Sequence, residues 1–201
     1  MADPTLTART ALDGTIGPIG GSHDAGVTLA EERLPGLLNL RGNPDNEDFR
    51  TAVTKAVGTE LPIEPNTVAE GKTHALLWLG PDEWLIVTPS GDEAKPTAAL
   101  SASLAGLHAS VVDLSDNFTT LRLSGAKARW VLSKGWPVDL HPRAFGPGRC
   151  AQSHLAHANI ILWQSDDTPS YQIFVRRSFA RYLWDWLVDA ALEVGCRIEA
   201  E

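Results

Sequence analysis

"HALLWLGPDEWLIVTP", residues 74–89, consists of two apolar runs on either side of Gly80-Pro81-Asp82-Glu83. Gly, Pro and Asp are turn residues, and each run has strand length, so the stretch predicts a β-hairpin. The Ala-rich "GDEAKPTAALSASLAGL" that follows predicts a helix. Upstream, "GLLNLRG" (36–42) reads as a strand and "NPDNEDFRTAVTKAVG" as a helix. In that helix Asn43 is the expected cap, Pro44 suits the first helical position, and acids fill the first turn. Phe49, Ala52, Val53, Ala56 and Val57 share one face, and Gly58 stops the helix. The intervening "LPIEPNTVAEGK", with two prolines, reads as a loop.

The same order returns further along. "SVVDLSDNFTTLRLSG" (110–125) gives two strands, and "AKARWVLSKG" a short helix capped by Ser124 and stopped by Gly135. "CAQSHLAHANIILWQ" and "SYQIFVRR" are strands around the turn "SDDTP". "SFARYLWDWLVDAALEVG" is the last helix, with Ser178 as its cap. Its expected buried stripe is Phe179, Tyr182, Leu183, Trp186, Leu187, Ala190 and Val194. "HALLWLGPDEWLIV" is thus matched by "HANIILWQSDDTPSYQIFV", and "LNLRG" by "LRLSG", each followed by a helix. The chain predicts an α+β fold of two β-α-β-β-α halves, 27–109 and 110–201, each an antiparallel, split βαβ-like sheet with helices on one face. The two halves form one folding unit. Residues 1–26, rich in Gly, Pro, Thr and Asp, are expected to be a flexible tail.

Composition narrows the function. In 201 residues, 43% are hydrophobic, enough for a sizeable core. A net charge of -8 argues against nucleic acid, which needs Lys and Arg to neutralise phosphate, and against a basic membrane-binding surface. No apolar run has transmembrane length, and the start lacks a secretory h-region. Cys150 and Cys196 form no CxxC and no disulfide framework, so reduced thiols and a cytoplasmic location are expected. Seven tryptophans against two tyrosines suit a Trp-rich core or a protein interface.

No phosphate loop, dinucleotide fingerprint or nucleophile elbow is present. His154 and His157 are three apart on a strand or tight turn, so metal-ligand spacing is lacking. Asp166 and Asp167 read as turn acids, and Asp113 as either a strand-end acceptor or a ligand carboxylate. The most chemical-looking stretch is "GWPVDLHPRAFGPGRC" (135–150), with Asp139, His141, Arg143 and Cys150. Pro137, Pro142 and Pro147 stiffen it as a connector. Asp139, His141 and Arg143 alternate, so in an extended segment they share a side, fit to brace the loop or to meet a partner. Trp184, two residues from Trp186, cannot share a narrow helical face with it. That makes Trp184 a candidate partner contact.

"VVDLSDN", "LSGAKARWVLSKGWPVDLHPRAF" and "LLWLGPDEWLI" together resemble the gamma subunit of bacterial heterotetrameric sarcosine oxidase. The resemblance implies a fold like the folate-binding domain of aminomethyltransferases. It also implies a place beside alpha, beta and delta subunits in an enzyme that oxidises sarcosine to glycine and hydrogen peroxide. With tetrahydrofolate, that enzyme yields 5,10-methylenetetrahydrofolate. FAD, FMN, NAD, zinc and tetrahydrofolate are expected on the partner subunits and no cofactor on this one. Where aminomethyltransferases carry a catalytic Asp before this strand, "HLAHAN" (154–159) has none. A non-catalytic assembly subunit is therefore expected, with no catalytic, cofactor-binding or metal residue of its own. Two alternatives stand beside it: the gamma subunit of an N-methylglutamate dehydrogenase-type complex, and a stand-alone folate-binding or methylene-transfer protein.

Overall fold

The computed structural model describes residues 9–14, 20–33 and 35–200. In chain order they form β1 (Val27–Glu31), β2 (Gly36–Arg41), α1 (Glu47–Val57), β3 (Val68–Glu70), β4 (Ala75–Gly80), β5 (Glu83–Thr88) and α2 (Ala94–Ser103). There follow β6 (Ser110–Asp113), β7 (Phe118–Ser124), α3 (Ala128–Ser133), β8 (Arg149–Leu155), β9 (Ala158–Asp166), β10 (Ser170–Arg176), α4 (Ala180–Ala190) and β11 (Cys196–Ala200). None of the helices is long and apolar enough to cross a membrane.

The strands make a six-stranded sheet, β11-β1-β7-β10-β9-β8, and a five-stranded sheet, β3-β4-β5-β2-β6. All pairings are antiparallel except β1 with β11. Side chains of a strand alternate between faces, and here both faces are apolar. Leu37, Leu77 and Leu85 of the smaller sheet meet Cys150, Ile161 and Phe174 of the larger one in a shared core. Their neighbours Leu38, Leu40, Leu76, Trp84 and Ile86 pack instead on Phe49, Val53 and Val57 of α1 and Leu100 of α2. Leu121, Leu123, Leu162, Ile173 and Val175 pack under α3 and α4. The order is helix, sheet, sheet, helix, so each sheet carries its helices on one face, as the duplicated pattern predicts.

Each sheet takes one strand from the other half of the chain. β1 lies beside β7, and β6 closes the edge of the smaller sheet beside β2. Three strands escaped the sequence pattern: β1, ahead of the first expected strand, β3, inside the expected loop, and β11, which pairs with β1. Of residues 1–26, positions 1–8 and 15–19 lie outside the described residues. The described remainder is held at several points, two of them well inside the tail. Leu12 is fully buried and its backbone N–H donates to Glu31 Oε1 at 3.2 Å, an oxygen that also accepts from the Thr119 hydroxyl at 2.7 Å. Gly20 exchanges two backbone hydrogen bonds with Ile198.

The helix ends differ in detail from expectation. Asn46, not Asn43, caps α1, accepting from the backbone N–H of Asp48 and Phe49. Asn43 accepts instead from Asp45 N–H, in the turn leading into the helix. Gly58 ends α1 at φ 71°, a left-handed conformation that glycine adopts without steric cost. Ser124 is the last residue of β7, not a helix cap.

Candidate functional site

The 135–150 connector is a clamp. Trp136, Leu140 and Phe145 are buried in the core under α3 and α4. Gly135 lets the chain pass close to α4, because a Cβ there would sit 2.7 Å from the Trp186 ring. Between these anchors the segment is coiled rather than extended. Ala144 and Phe145 both donate backbone N–H to the His141 carbonyl. Asp139 Oδ1 accepts from His141 N–H at 2.8 Å, and His141 Nδ1 accepts from Arg143 N–H at 3.2 Å. The Asp139 and His141 side chains therefore brace the loop, while the Arg143 side chain stands exposed.

Cys150 contributes no nucleophile. It is fully buried, with Sγ 3.3 Å from the Trp78 carbonyl oxygen and 3.5 Å from that of Thr67. Burial pushes the thiol up to about 12, so it stays protonated, whereas the thiolate is the reactive form. Burial likewise pushes the Tyr171 hydroxyl up to about 12, against the lowering influence of the Arg129 guanidinium. Both groups keep protons in the folded state that the unfolded chain releases above pH ~8.5 and ~10 respectively. Their contribution to stability is complete below those values and is lost as pH rises toward 12. Each should cost about 1.4 kcal/mol per pH unit once its unfolded counterpart titrates. In urea melts, the stability of wild type minus that of Cys150→Ala should decline above about pH 9. Parallel pH profiles would refute the assignment to this thiol.

Trp184 corrects the sequence reading. It is 2% exposed and packs in the core of the larger sheet, so its indole offers nothing to another chain. The buried stripe of α4 is Ala180, Leu183, Trp184, Leu187 and Ala190. Phe179 and Tyr182, expected inside, are 43% and 37% exposed. The rotation follows from i, i+3, i+4, i+7 spacing, which Ala180, Leu183, Trp184 and Leu187 satisfy. Trp186, half-buried, rests on Gly135 instead.

The acids and histidines singled out in the sequence are occupied or dispersed. Asp113 Oδ1 accepts from the Ser115 backbone N–H and hydroxyl, the strand-end arrangement. Asp166 Oδ1 accepts from Thr168 N–H in the β9–β10 turn. His154 sits opposite Asn159 across the β8–β9 pair, and His157 lies in the turn between those strands. Among the described residues, no three His, Cys, Asp or Glu side chains could hold a metal ion together.

Among the described residues, two surface cavities are of interest. The larger, about 860 Å³, contains Arg41, Trp78, Asp82 and His108. Its guanidinium is already matched: Arg41 lies 2.7 Å from Asp82 and 3.5 Å from Glu83. The second, about 590 Å³, lies at the end of β8, β9 and β10 and is lined by Phe118, Gln152, His154, Asn159, Arg176 and Phe179, among others. There the Arg176 guanidinium stacks 4.6 Å over the Phe118 ring, its cross-strand partner. Sequence reasoning missed this cavity. Its residues come from four strands and from Phe179 just ahead of α4, and no local motif joins them.

The family model for the sarcosine oxidase gamma subunit matches residues 41–193. Sarcosine oxidase subunit gamma of Corynebacterium sp. (strain P-1) is 40% identical over 174 residues, covering 86% of this chain and 84% of that protein. A chain of the heterotetrameric sarcosine oxidase from Corynebacterium sp. U-96, in complex with pyrrole 2-carboxylate, superposes with a TM-score of 0.84 at 33% identity. That match covers 93% of this chain and 96% of the other. The glycine cleavage system aminomethyltransferase T of Bartonella henselae shares the fold, with a TM-score of 0.63 at 18% identity over 88% of this chain and 48% of that one. With the family model matched over residues 41–193 and 40% identity to the Corynebacterium gamma subunit along most of its length, the chain belongs to the sarcosine oxidase gamma subunit family.

Proposed function

We propose that the chain is a non-catalytic assembly subunit of a heterotetrameric sarcosine oxidase. It holds alpha, and through it beta and delta, in a complex that converts sarcosine to glycine and hydrogen peroxide. With tetrahydrofolate the complex yields 5,10-methylenetetrahydrofolate. In this reading the flavins, NAD, zinc and tetrahydrofolate reside on the partner subunits, and the complex works in the cytoplasm. The near end-to-end superposition on one chain of such an oxidase carries the proposal. The site chemistry supports it. The β8–β9 turn, Leu155-Ala156-His157-Ala158, offers no carboxyl group to move a proton at a folate amine. Cys150 is protonated and enclosed, and Asp139 and His141 are spent on the backbone of their own loop. Arg143 is the connector's outward-facing contact residue.

Co-expression with tagged alpha, beta and delta subunits tests this. The chain should co-purify in stoichiometric amount, and the complex should release hydrogen peroxide with sarcosine. Leaving the chain out should lower the yield of assembled complex. Peroxide or dye reduction with N-methylglutamate but not sarcosine would assign the chain to the related dehydrogenase instead. Calorimetric titration of the isolated chain with tetrahydrofolate should give no binding heat. Micromolar binding would overturn the non-catalytic reading in favour of a folate protein.

A further inference from the structure

The chain is acidic, and several of its surface cations are matched internally. Arg41, Lys95, Lys134, Arg149 and Arg197 each lie within ion-pair distance of a carboxylate. Arg176 does not. It is exposed, and among the described residues its guanidinium has neither an ion pair nor a hydrogen bond, only the face of Phe118. The adjoining Arg177 donates to the backbone carbonyl of Arg9 rather than to an acid. The stacking holds the Arg176 fork in place while its N–H donors stay open, a preorganised arrangement for a carboxylate.

The surroundings show what kind of molecule brings that carboxylate. Beside Arg176 the cavity offers Gln152, Ser153, His154 and Asn159 as polar rim and Ile160, Ile161 and Phe179 as apolar wall. Outside the cavity the apolar surface continues. Phe179 meets Tyr182 edge-on with ring centres 6.4 Å apart, and Tyr182 lies 6.2 Å from the His157 ring. The Tyr182 hydroxyl accepts from His157 N–H at 3.3 Å, fixing the ring against the β8–β9 turn. A small ligand filling the cavity would cover Phe179 but leave Tyr182 in water. An extended chain would cover cavity and strip together. Exposed aromatic side chains flanking an Arg are the composition of a protein contact centre.

We propose that this surface docks an acidic segment of a partner subunit, one carboxylate pairing with Arg176 and a neighbouring apolar side chain lying on Phe179 and Tyr182. The inference rests on the assembly role proposed above and names the face that serves it. Charge complementarity selects the partner's acidity.

The test uses the co-expressed complex. Wild type should co-purify with its partners, and Arg176→Glu should lower recovery by about tenfold or more, with Arg176→Lys in between. Recovery should fall as salt is raised, since the pair is at the surface. The isolated Arg176→Glu chain should melt with the wild type, because the side chain is exposed. If it does not, Phe179 replaced by photoreactive benzoylphenylalanine reads the contact without a charge change. Cross-links should map to a partner segment richer in Asp and Glu than in Lys and Arg. A wild-type chain that fails to co-purify would overturn the assembly role itself. Normal recovery of Arg176→Glu overturns this surface alone, as do cross-links to a neutral or basic segment, or none in an assembled complex.

Discussion

Phe174→Ala should lower the stability of the folded chain by about 3–5 kcal/mol, measured by urea unfolding. Phe174 is 1% exposed and lies in the middle of β10, opposite Thr120 of β7 and Ile161 of β9. Its ring points away from the helices, into the core shared with Leu37, Leu77 and Leu85 of the smaller sheet. Truncation there removes apolar contacts from both sheets at once and leaves a cavity between two rigid walls that cannot close readily. The shape of the transition is as informative as its midpoint. The sheets share this core, and β1 and β6 cross between halves. The variant should therefore still unfold in one step, shifted as a whole. Two separated transitions would show that the halves fold independently and that the shared core is not what couples them. Phe174→Leu, closer in volume, should lose substantially less.

The fold was legible where burial and turn chemistry agree. The 74–89 hairpin forms β4 and β5 because Pro81-Asp82 can turn and nothing in either run can. Sheet sidedness was hidden. Strands that bury both faces show no polar alternation, so "LLWL", "WLIV" and "NIILW" give a strand without saying which residue faces which layer. β11 was missed although "CRIEA" alternates apolar and charged residues, because it is only five residues long and follows directly on the expected last helix; it is held by parallel pairing to β1, a contact made across the whole chain. The cap of α1 slipped by one turn because Asn43 and Asn46 are chemically equal candidates, and the backbone alone decides between them. The connector's coiled path was not legible, since it depends on where Trp136, Leu140 and Phe145 are anchored. The Arg176–Phe118 stack lay beyond reach, since strand register brings it together.

Trp184→Ala should destabilise the isolated chain by about 3–5 kcal/mol, a loss comparable to that at Phe174. The indole is 2% exposed and packs with the core that α4 shares with α3, the connector and the larger sheet. In sequence, Trp184 and Trp186 compete for the core, and the pattern of α4 can be read at two rotations. Only one puts Ala180, Leu183 and Leu187 in line with Trp184, and that one turns Phe179 and Tyr182 outward. Tyr182→Ala is therefore the paired control. Its monomer should stay within about 1 kcal/mol of wild type, because an exposed ring gains little from folding. Its co-purification with partners should fall, because the ring belongs to the surface beside Arg176. Trp184→Ala should show the reverse order: thermal unfolding first, with assembly lost only at temperatures where the chain has melted. If Trp184→Ala melts with the wild type yet fails to assemble, the indole faces a partner after all, and the rotation assigned to α4, with the outward aromatic strip that depends on it, is wrong.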